Sequence, residues 1–507
     1  MLARVSSAAI LGLEAVGVDI EVDVSSRGLP NFIIVGLADK AVEEAKERIK
    51  SAIVNSGFDF PRHRVIINLA PANIPKVGTF YDLPMALGIL KASGQLNKPL
   101  DGLFLGELSL NGSLRKVNGC LSAALYARGA NVKQIFVPRE NSLELAVIKK
   151  LTVYPALNLK SLLLHFNEVK KISCLKFNGD LLVGNRKIEL DFRDIIGQER
   201  AKRALEIAAA GGHNIFFFGP PGAGKTMLAR SLPGVMPSMT EAEILEVTRI
   251  YSVSGNLAEK LVSDRPFRSP HHSVSQVGLI GGGSFPLPGE VSLAHRGVLF
   301  LDELPEFPRH VLETLRQPME DGFVTIARSR GRFTYPAQFT LVAASNPCPC
   351  GFFGDPKHAC HCSISEISRY RKRLSGPLMD RIDIHVEVSA VPIRELNQQG
   401  DGESSAKVRD RVEQARERQK ERFLDSRLVC NAEMGSREVK NYCRTSKLAW
   451  LALAQASERL ALSARGFYRV IKVARTIADL EGREVINQDH MNEAISFRRQ
   501  DFAGNDI

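Results

Sequence analysis

The sequence predicts a multidomain α/β chain: an α+β N-terminal domain, a parallel-sheet core and a helical C-terminal domain. Three observations predict it. Residues 1 to about 170 alternate short apolar runs with Gly and Pro punctuation. From Asp191 onward, apolar strands alternate with helices and loops, the βαβ pattern of a parallel sheet, and the first strand ends in a glycine-rich loop. From about residue 400 the chain is helical in period and dense in charge. At roughly 150 residues per domain, 507 residues suit about three domains. The expected boundaries are 1–170, a linker at 171–190, a core at 191–395 and a helical lid at 396–507.

Each element has a local reason. Val18–Val24 (VDIEVDV) and Arg64–Ala70 (RVIINLA) read as strands. Between them, KAVEEAKERIKSAIVNSG is an amphipathic helix that stops at Gly57. DLPMALGILKASG is a second helix, and KQIFVP a further strand. Residues 171–190 have no clear period and read as the linker. In the core, DFRDIIGQERAKRALEIAAAGG leads into a helix, and NIFFFG, GVLFLDE and FTLVAASN are strands. KVRDRVEQARERQKERF alternates charge signs as a solvated helix does, and helices follow around Ser446–Leu462 and Gly466–Leu480.

Composition excludes several classes. Apolar residues make up 44% and charged residues 24%, close to a soluble globular average, so disorder is not the main state. No run of eighteen or so apolar residues appears, so no membrane partner is expected. MLARVSSAAILGLEAVGVDIEVD reads as the start of a domain, not a signal peptide. Lys and Arg number 67 against 56 Asp and Glu, a net +11 that permits polyanion partners without demanding them. Four of the eight cysteines fall between Cys348 and Cys362, which suggests a metal or reduced thiols before disulfides. The expected location is cytoplasmic.

The chemistry centres on GPPGAGKT: Gly219, Pro220, Pro221, Gly222, Ala223, Gly224, Lys225 and Thr226. It matches a phosphate-binding loop in full and sits between a strand and a helix, the context that motif needs. Its glycines let backbone N–H groups surround phosphates, Lys225 adds a point charge, and Thr226 offers a hydroxyl to Mg²⁺. The strand GVLFLDE ends in Asp302, suited to Mg²⁺, and Glu303, suited to activating a water. FTLVAASN delivers Asn346, placed to hold that water or to sense a γ-phosphate. LSGPLMDRID carries Arg381, which suits a neighbouring subunit's γ-phosphate, against a local pair with Asp380 or Asp383. Arg465 and Arg469 lie four apart on one helical face, and Arg465, at the helix start, is preferred as a lid sensor. ATP and Mg²⁺ are the expected ligands.

These residues, with RPFRSPHHSVSQVGLIGGG and PGEVSLAHRGVLFLDELPEF, resemble the ComM/YifB family of magnesium-chelatase-like AAA+ ATPases tied to natural transformation. The resemblance covers essentially the whole chain. It implies a homo-hexameric ring with nucleotide at each interface and Arg381 acting in trans. It also implies ATP-driven movement on single-stranded or branched DNA, namely branch migration, alongside recombination proteins.

Three further segments carry expectations. FVTIARSRGRFTYPAQFTLVAA reads as two strands around a basic turn with Arg328, Arg330 and Arg332, suited to phosphate contacts without base reading. In the resembled ATPases this hairpin points into the ring's pore; a plain exposed basic turn is the alternative. Cys348, Cys350, Cys360 and Cys362 suit one tetrahedral Zn²⁺, although each CxC pair is tighter than the usual CxxC; His358 and His361 are alternative ligands, and reduced or redox-active thiols the other reading. The His271-His272 pair and Gly281-Gly282-Gly283 lie in an insertion whose role the sequence leaves open.

LAPANIPKVGTFYDLPMALGIL and GELSLNGSLRKVNGCLSAAL make residues 1–170 similar to the Lon protease domain and its counterpart in RadA. The serine and lysine positions of a Lon-type dyad fall on Phe80 and Leu121, which carry neither nucleophile nor base; Ser109, Ser113 and Lys116 are the nearby substitutes. The resemblance therefore implies a Lon-like fold without proteolysis, serving ring assembly or DNA binding. A chelatase-type motor acting on a protein partner, an ATP-dependent protease and a non-hydrolysing switch are the other function classes.

Overall fold

The computed structural model describes residues 2–25, 29–175, 177, 179, 189–258, 261–283, 285–328, 331–355, 358–391, 402–426 and 428–498. Much of the expected linker, and the start and end of the expected lid, lie outside these residues. The chain divides into two compact units. One comprises residues 1–184, 241–263 and 327–335, and the other 185–240, 264–326 and 336–507.

The first unit is built on a mixed seven-stranded sheet. Its strands are β1 (Leu2–Leu11), β2 (Glu14–Ser25), β3 (Phe32–Val35), β4 (Arg64–Ala70), β5 (Leu103–Phe104), β8 (Gln134–Pro138) and β9 (Thr152–Ala156), in the order β3-β4-β2-β1-β5-β8-β9. The short β6 (Glu107–Leu108) and β7 (Leu114–Arg115) pair separately. β2 alternates buried and half-buried residues, so its apolar set Val18, Ile20, Val22 and Val24 faces a core. Helix Asp82–Ala92 is buried along almost its whole length against that core. Helix Lys40–Asn55 starts at Asp39, whose carboxylate accepts from the Val42 N–H, and buries one face.

The second unit carries an all-parallel sheet: β10 (Ile215–Phe218), β11 (Phe267–Arg268), β14 (Val298–Leu301), β17 (Thr340–Ser345) and β18 (Ile384–Glu387), in the order β11-β14-β17-β10-β18. β10 and β14 are buried at every residue, as a sheet covered on both faces requires. The second unit also carries the hairpin β12–β13 (Gly281–Gly282, Leu287–Pro288); β15–β16 (Phe323–Arg328, Gly331–Pro336) is another two-stranded pair, most of whose residues belong to the first unit. Five helices of the C-terminal region are Ser405–Arg422, Ser436–Tyr442, Lys447–Arg459, Ala464–Leu480 and Gln488–Ser496. The apolar faces of these helices join the core of the sheet in one cluster. This is a mixed α/β chain with an AAA+ P-loop type of core and a helical C-terminal region. No helix among the described residues is long and apolar enough to cross a membrane.

Candidate functional site

Register brings the site residues to one edge of the parallel sheet. Phe218 pairs with Ser345, and Leu301 with Ala343. Gly219, Asn346 and Asp302 therefore all leave at the C-terminal edge, where open α/β sheets bind ligands. Gly222 and Gly224 take left-handed φ values of 75° and 89°, which lets the loop curl before helix Lys225–Val235.

Lys225 is buried, and its ammonium donates to the carbonyls of Gly219 at 2.7 Å and Pro220 at 2.9 Å and to Asn346 Oδ1 at 3.0 Å. Burial lowers its pKa to about 8, against the opposing pull of Asp302 and Glu303. The Thr226 hydroxyl donates to Asp302 Oδ2 at 2.9 Å, while Asp302 Oδ1 accepts from the Glu303 N–H at 3.0 Å. Hydroxyl and carboxylate oxygens side by side fit a hard cation such as Mg²⁺. Glu303 has φ 50°, a left-handed conformation uncommon outside glycine, and its carboxylate is 3.8 Å from His272 Nδ1.

Arg381 lies elsewhere. It precedes β18 by three residues, and β18 runs parallel to β10 with Ile384 beside Ile215. Its carbonyl accepts from Asn214 Nδ2, just before β10 begins. Arg381 thus sits at the N-terminal edge, and the four residues of β10 put about 13 Å between that edge and the phosphate loop. It pairs with Glu320, not with Asp380 or Asp383. Arg465, well exposed, lies 3.9 Å from the same Glu320. Arg469 is bound instead to the Asp383 carboxylate and the Arg381 carbonyl. Burial raises the Asp383 carboxyl, but Arg469 and then His213 outweigh it and hold it below the usual carboxylate range.

Cys348, Cys350, Cys360 and Cys362 converge, with one ligand atom from each and all four within 4.8 Å of one another. Sulfur separations are 3.3, 3.7 and 3.5 Å for 348–350, 348–360 and 350–360. A tetrahedral Zn²⁺ with bonds of about 2.3 Å sets its sulfurs roughly 3.8 Å apart, so the donor set fits. Backbone N–H groups also point at sulfur: Phe353 donates to Cys348, and those of Phe352 and His361 hold the Cys350 thiol down at about 6. His358 turns to Asp355.

Arg328 and Arg332 are exposed on the two strands of their hairpin, and Arg330 lies outside the described residues. In the first unit, Phe80 packs on Tyr81 at 4.4 Å and Leu121 is fully buried. Lys116 donates to the Leu257 carbonyl and Ser113 to Asn111, so these two side chains do not make the hydrogen bond a dyad needs. The His271 and His272 rings in the insertion lie 4.0 Å apart, tilted by 35°.

Sequence reasoning missed three residues here. Gln198, in a left-handed turn, donates to the Ala223 carbonyl of the phosphate loop. Glu320 receives Arg381, and Gly351 lies against the phosphate loop. Each is distant in sequence from its partner, and no spacing announces the contact.

Comparison with known proteins agrees with this architecture. Three family profiles match in succession: Subunit ChlI of Mg-chelatase over residues 20–141, Magnesium chelatase, subunit ChlI over 191–396, and Magnesium chelatase, subunit ChlI C-terminal over 402–498. The chain is 44% identical to Competence protein ComM of Haemophilus influenzae, covering 98% of this chain and 97% of that one. It is 44% identical to YifB of Salmonella typhimurium, covering 99% and 97%. Lon protease 2 of Bacillus subtilis is 31% identical over 138 residues, 26% of this chain and 25% of that protein. The chain belongs to the ComM and YifB family, built of magnesium-chelatase ChlI-type AAA+ domains.

Proposed function

We propose that this chain is an ATP-hydrolysing ring motor that acts on DNA, a hexamer promoting branch migration of recombination intermediates in natural transformation. One observation carries it. Lys225, Thr226, Asp302, Glu303 and Asn346 converge at one edge of the sheet, while Arg381 stands at the opposite edge. An arginine side chain is too short to cross that distance, so Arg381 serves a neighbour's nucleotide, and a closed ring supplies every site with one.

Within a site, the phosphate loop cradles the triphosphate and Lys225 neutralises its outer charge. Thr226 and Asp302 would hold Mg²⁺, which when bound supplies electrostatic stabilisation of the phosphates. Glu303 orients and deprotonates a water, and Asn346 fixes that water or senses the γ-phosphate. Arg465 shares Glu320 with Arg381 and so stands at the same edge, where it would sense a neighbour's nucleotide, while Arg469 is committed to Asp383. The four cysteines hold a structural Zn²⁺. Arg328, Arg330 and Arg332 contact DNA phosphates, and the Lon-like domain, without protease chemistry, assists assembly or DNA binding. A relative named as a competence protein supports DNA as the substrate.

The test is the ATPase rate with and without single-stranded, duplex and four-way-junction DNA, with Glu303→Gln as the blank. Stimulation by DNA is expected, strongest with the branched substrate. A robust basal rate that no DNA raises would replace DNA with a protein partner, as in a chelatase-type motor, a reading the ChlI profiles favour.

A further inference from the structure

One turn of the cysteine centre lies against the phosphate loop. The chain leaves β17 at Asn346 and reaches Cys348 two residues later. After Cys362 comes Ser363, which caps helix Ile364–Lys372 by accepting from the Glu366 N–H. Burial raises the Tyr370 phenol of that helix, and Ser345 and Asn346 beside it pull the other way. The segment from Asn346 to Ser363 thus leaves from the sensor asparagine, and the helix that follows brings Tyr370 back beside Asn346. None of its described residues is helix or strand, and its four cysteine sulfurs gather into one cluster.

The first knuckle of that cluster touches the phosphate loop. The Gly351 N–H donates to the Cys348 carbonyl at 3.0 Å, closing a tight turn. Gly351 has φ +86°, and a methyl added there would stand 2.5 Å from Pro221 Cγ, 2.6 Å from its Cδ and 4.0 Å from Asn346 Cγ. The knuckle backbone therefore lies directly on Pro221 and beside Asn346. Pro221 belongs to the loop whose Lys225 is tied to Asn346. A rigid ring against a rigid turn transmits any change in the cluster to that loop.

We propose that the metal-filled centre of Cys348, Cys350, Cys360 and Cys362 is a positioning device for the ATP site, holding the Gly351 turn against Pro221 and thereby setting nucleotide affinity. It rests on the zinc and ATP readings above. Four thiolates on one ion fix both knuckles. With the ion removed, the excursion regains backbone freedom, and ordering it must be driven by nucleotide binding itself.

The test pairs metal analysis of the full chain with equilibrium binding of a fluorescent non-hydrolysable ATP analogue. Stripping zinc with a chelator should weaken analogue binding about tenfold, with unchanged far-UV circular dichroism, and added Zn²⁺ should restore it. Gly351→Ala should keep one zinc per chain yet lose affinity by a similar factor, since left-handed strain and the Pro221 contact displace the turn. Affinity indifferent both to zinc removal and to Gly351→Ala overturns the proposal. Wild-type protein with less than about 0.2 zinc per chain under reducing conditions overturns the zinc reading instead. Wild-type protein that holds zinc but binds no analogue overturns the ATP reading.

Discussion

Lys225 carries its charge where burial penalises it, and that makes its proton a reporter. Its pKa in the folded chain, about 8, lies below the ordinary 10.5. Below pH 8 the buried ammonium costs stability, and the cost is relieved as pH rises from about 8 to 10.5. A polyphosphate beside Lys225 favours the charged form and raises that pKa. ATP binding near pH 8.5 should therefore take up a fraction of a proton. Calorimetric titrations in two buffers of different ionisation enthalpy measure it, and buffer-independent heats would separate Lys225 from the phosphates. Glu303 has a different task, because its carboxylate is half exposed and its backbone is held left-handed. Glu303→Gln should bind ATP normally and turn over roughly 10²–10⁴ times more slowly, the range a general base supplies. Wild-type turnover in that variant would remove Glu303 from the chemistry.

One element carries the next prediction, and a second shows what packing adds to spacing. Arg328 and Arg332 are exposed on the arms of one hairpin, where backbone contacts with a polyanion need no side-chain rearrangement. Replacing Arg328, Arg330 and Arg332 together by Ala should weaken duplex binding and lower the slope of log affinity against log salt by about 2–3. An unchanged slope would place the contact on another element. Helix Ala464–Leu480 separates Arg465 from Arg469, two of its three arginines, by environment. Arg469 is tied to Asp383 and Arg465 is exposed beside Glu320. The four-residue spacing, read from sequence, puts both on one face, but only the packed sheet edge separates an anchored arginine from an available one.

At the scale of the whole molecule, the strand register places Arg381 and the phosphate loop at opposite edges of one sheet. Arg381→Ala should therefore form assemblies that bind ATP and hydrolyse it about 10³–10⁵ times more slowly. Mixed with Lys225→Ala protein it should recover part of the rate, because an intact Arg381 from one subunit meets an intact phosphate loop on another. Mixtures of folded variants with no recovery would argue for action within one chain.

Sequence alone determined the local features. The glycine loop between strand and helix, the acidic strand end at Asp302 and Glu303, and the strand ending in Asn346 were legible because each motif is contiguous and its chemistry follows from residue type and spacing. So were the strand Arg64–Ala70 and the helix starting at Lys40, since burial on one face imposes a period that the residues display, while the helix starting at Asp82, buried on nearly every side, shows as an apolar run. Arg381 was readable as an arginine after a helix, but not its partner, Glu320, sixty-one residues away. The clustering of residues 241–263 and 327–335 with the N-terminal unit left no trace in composition either. The turn of Gly351 on Pro221 also needed tertiary structure, because the two residues are 130 positions apart in a 507-residue chain. Contacts of that kind depend on which faces two distant segments present once the sheet has closed its register, and nothing in either segment's own pattern encodes the other.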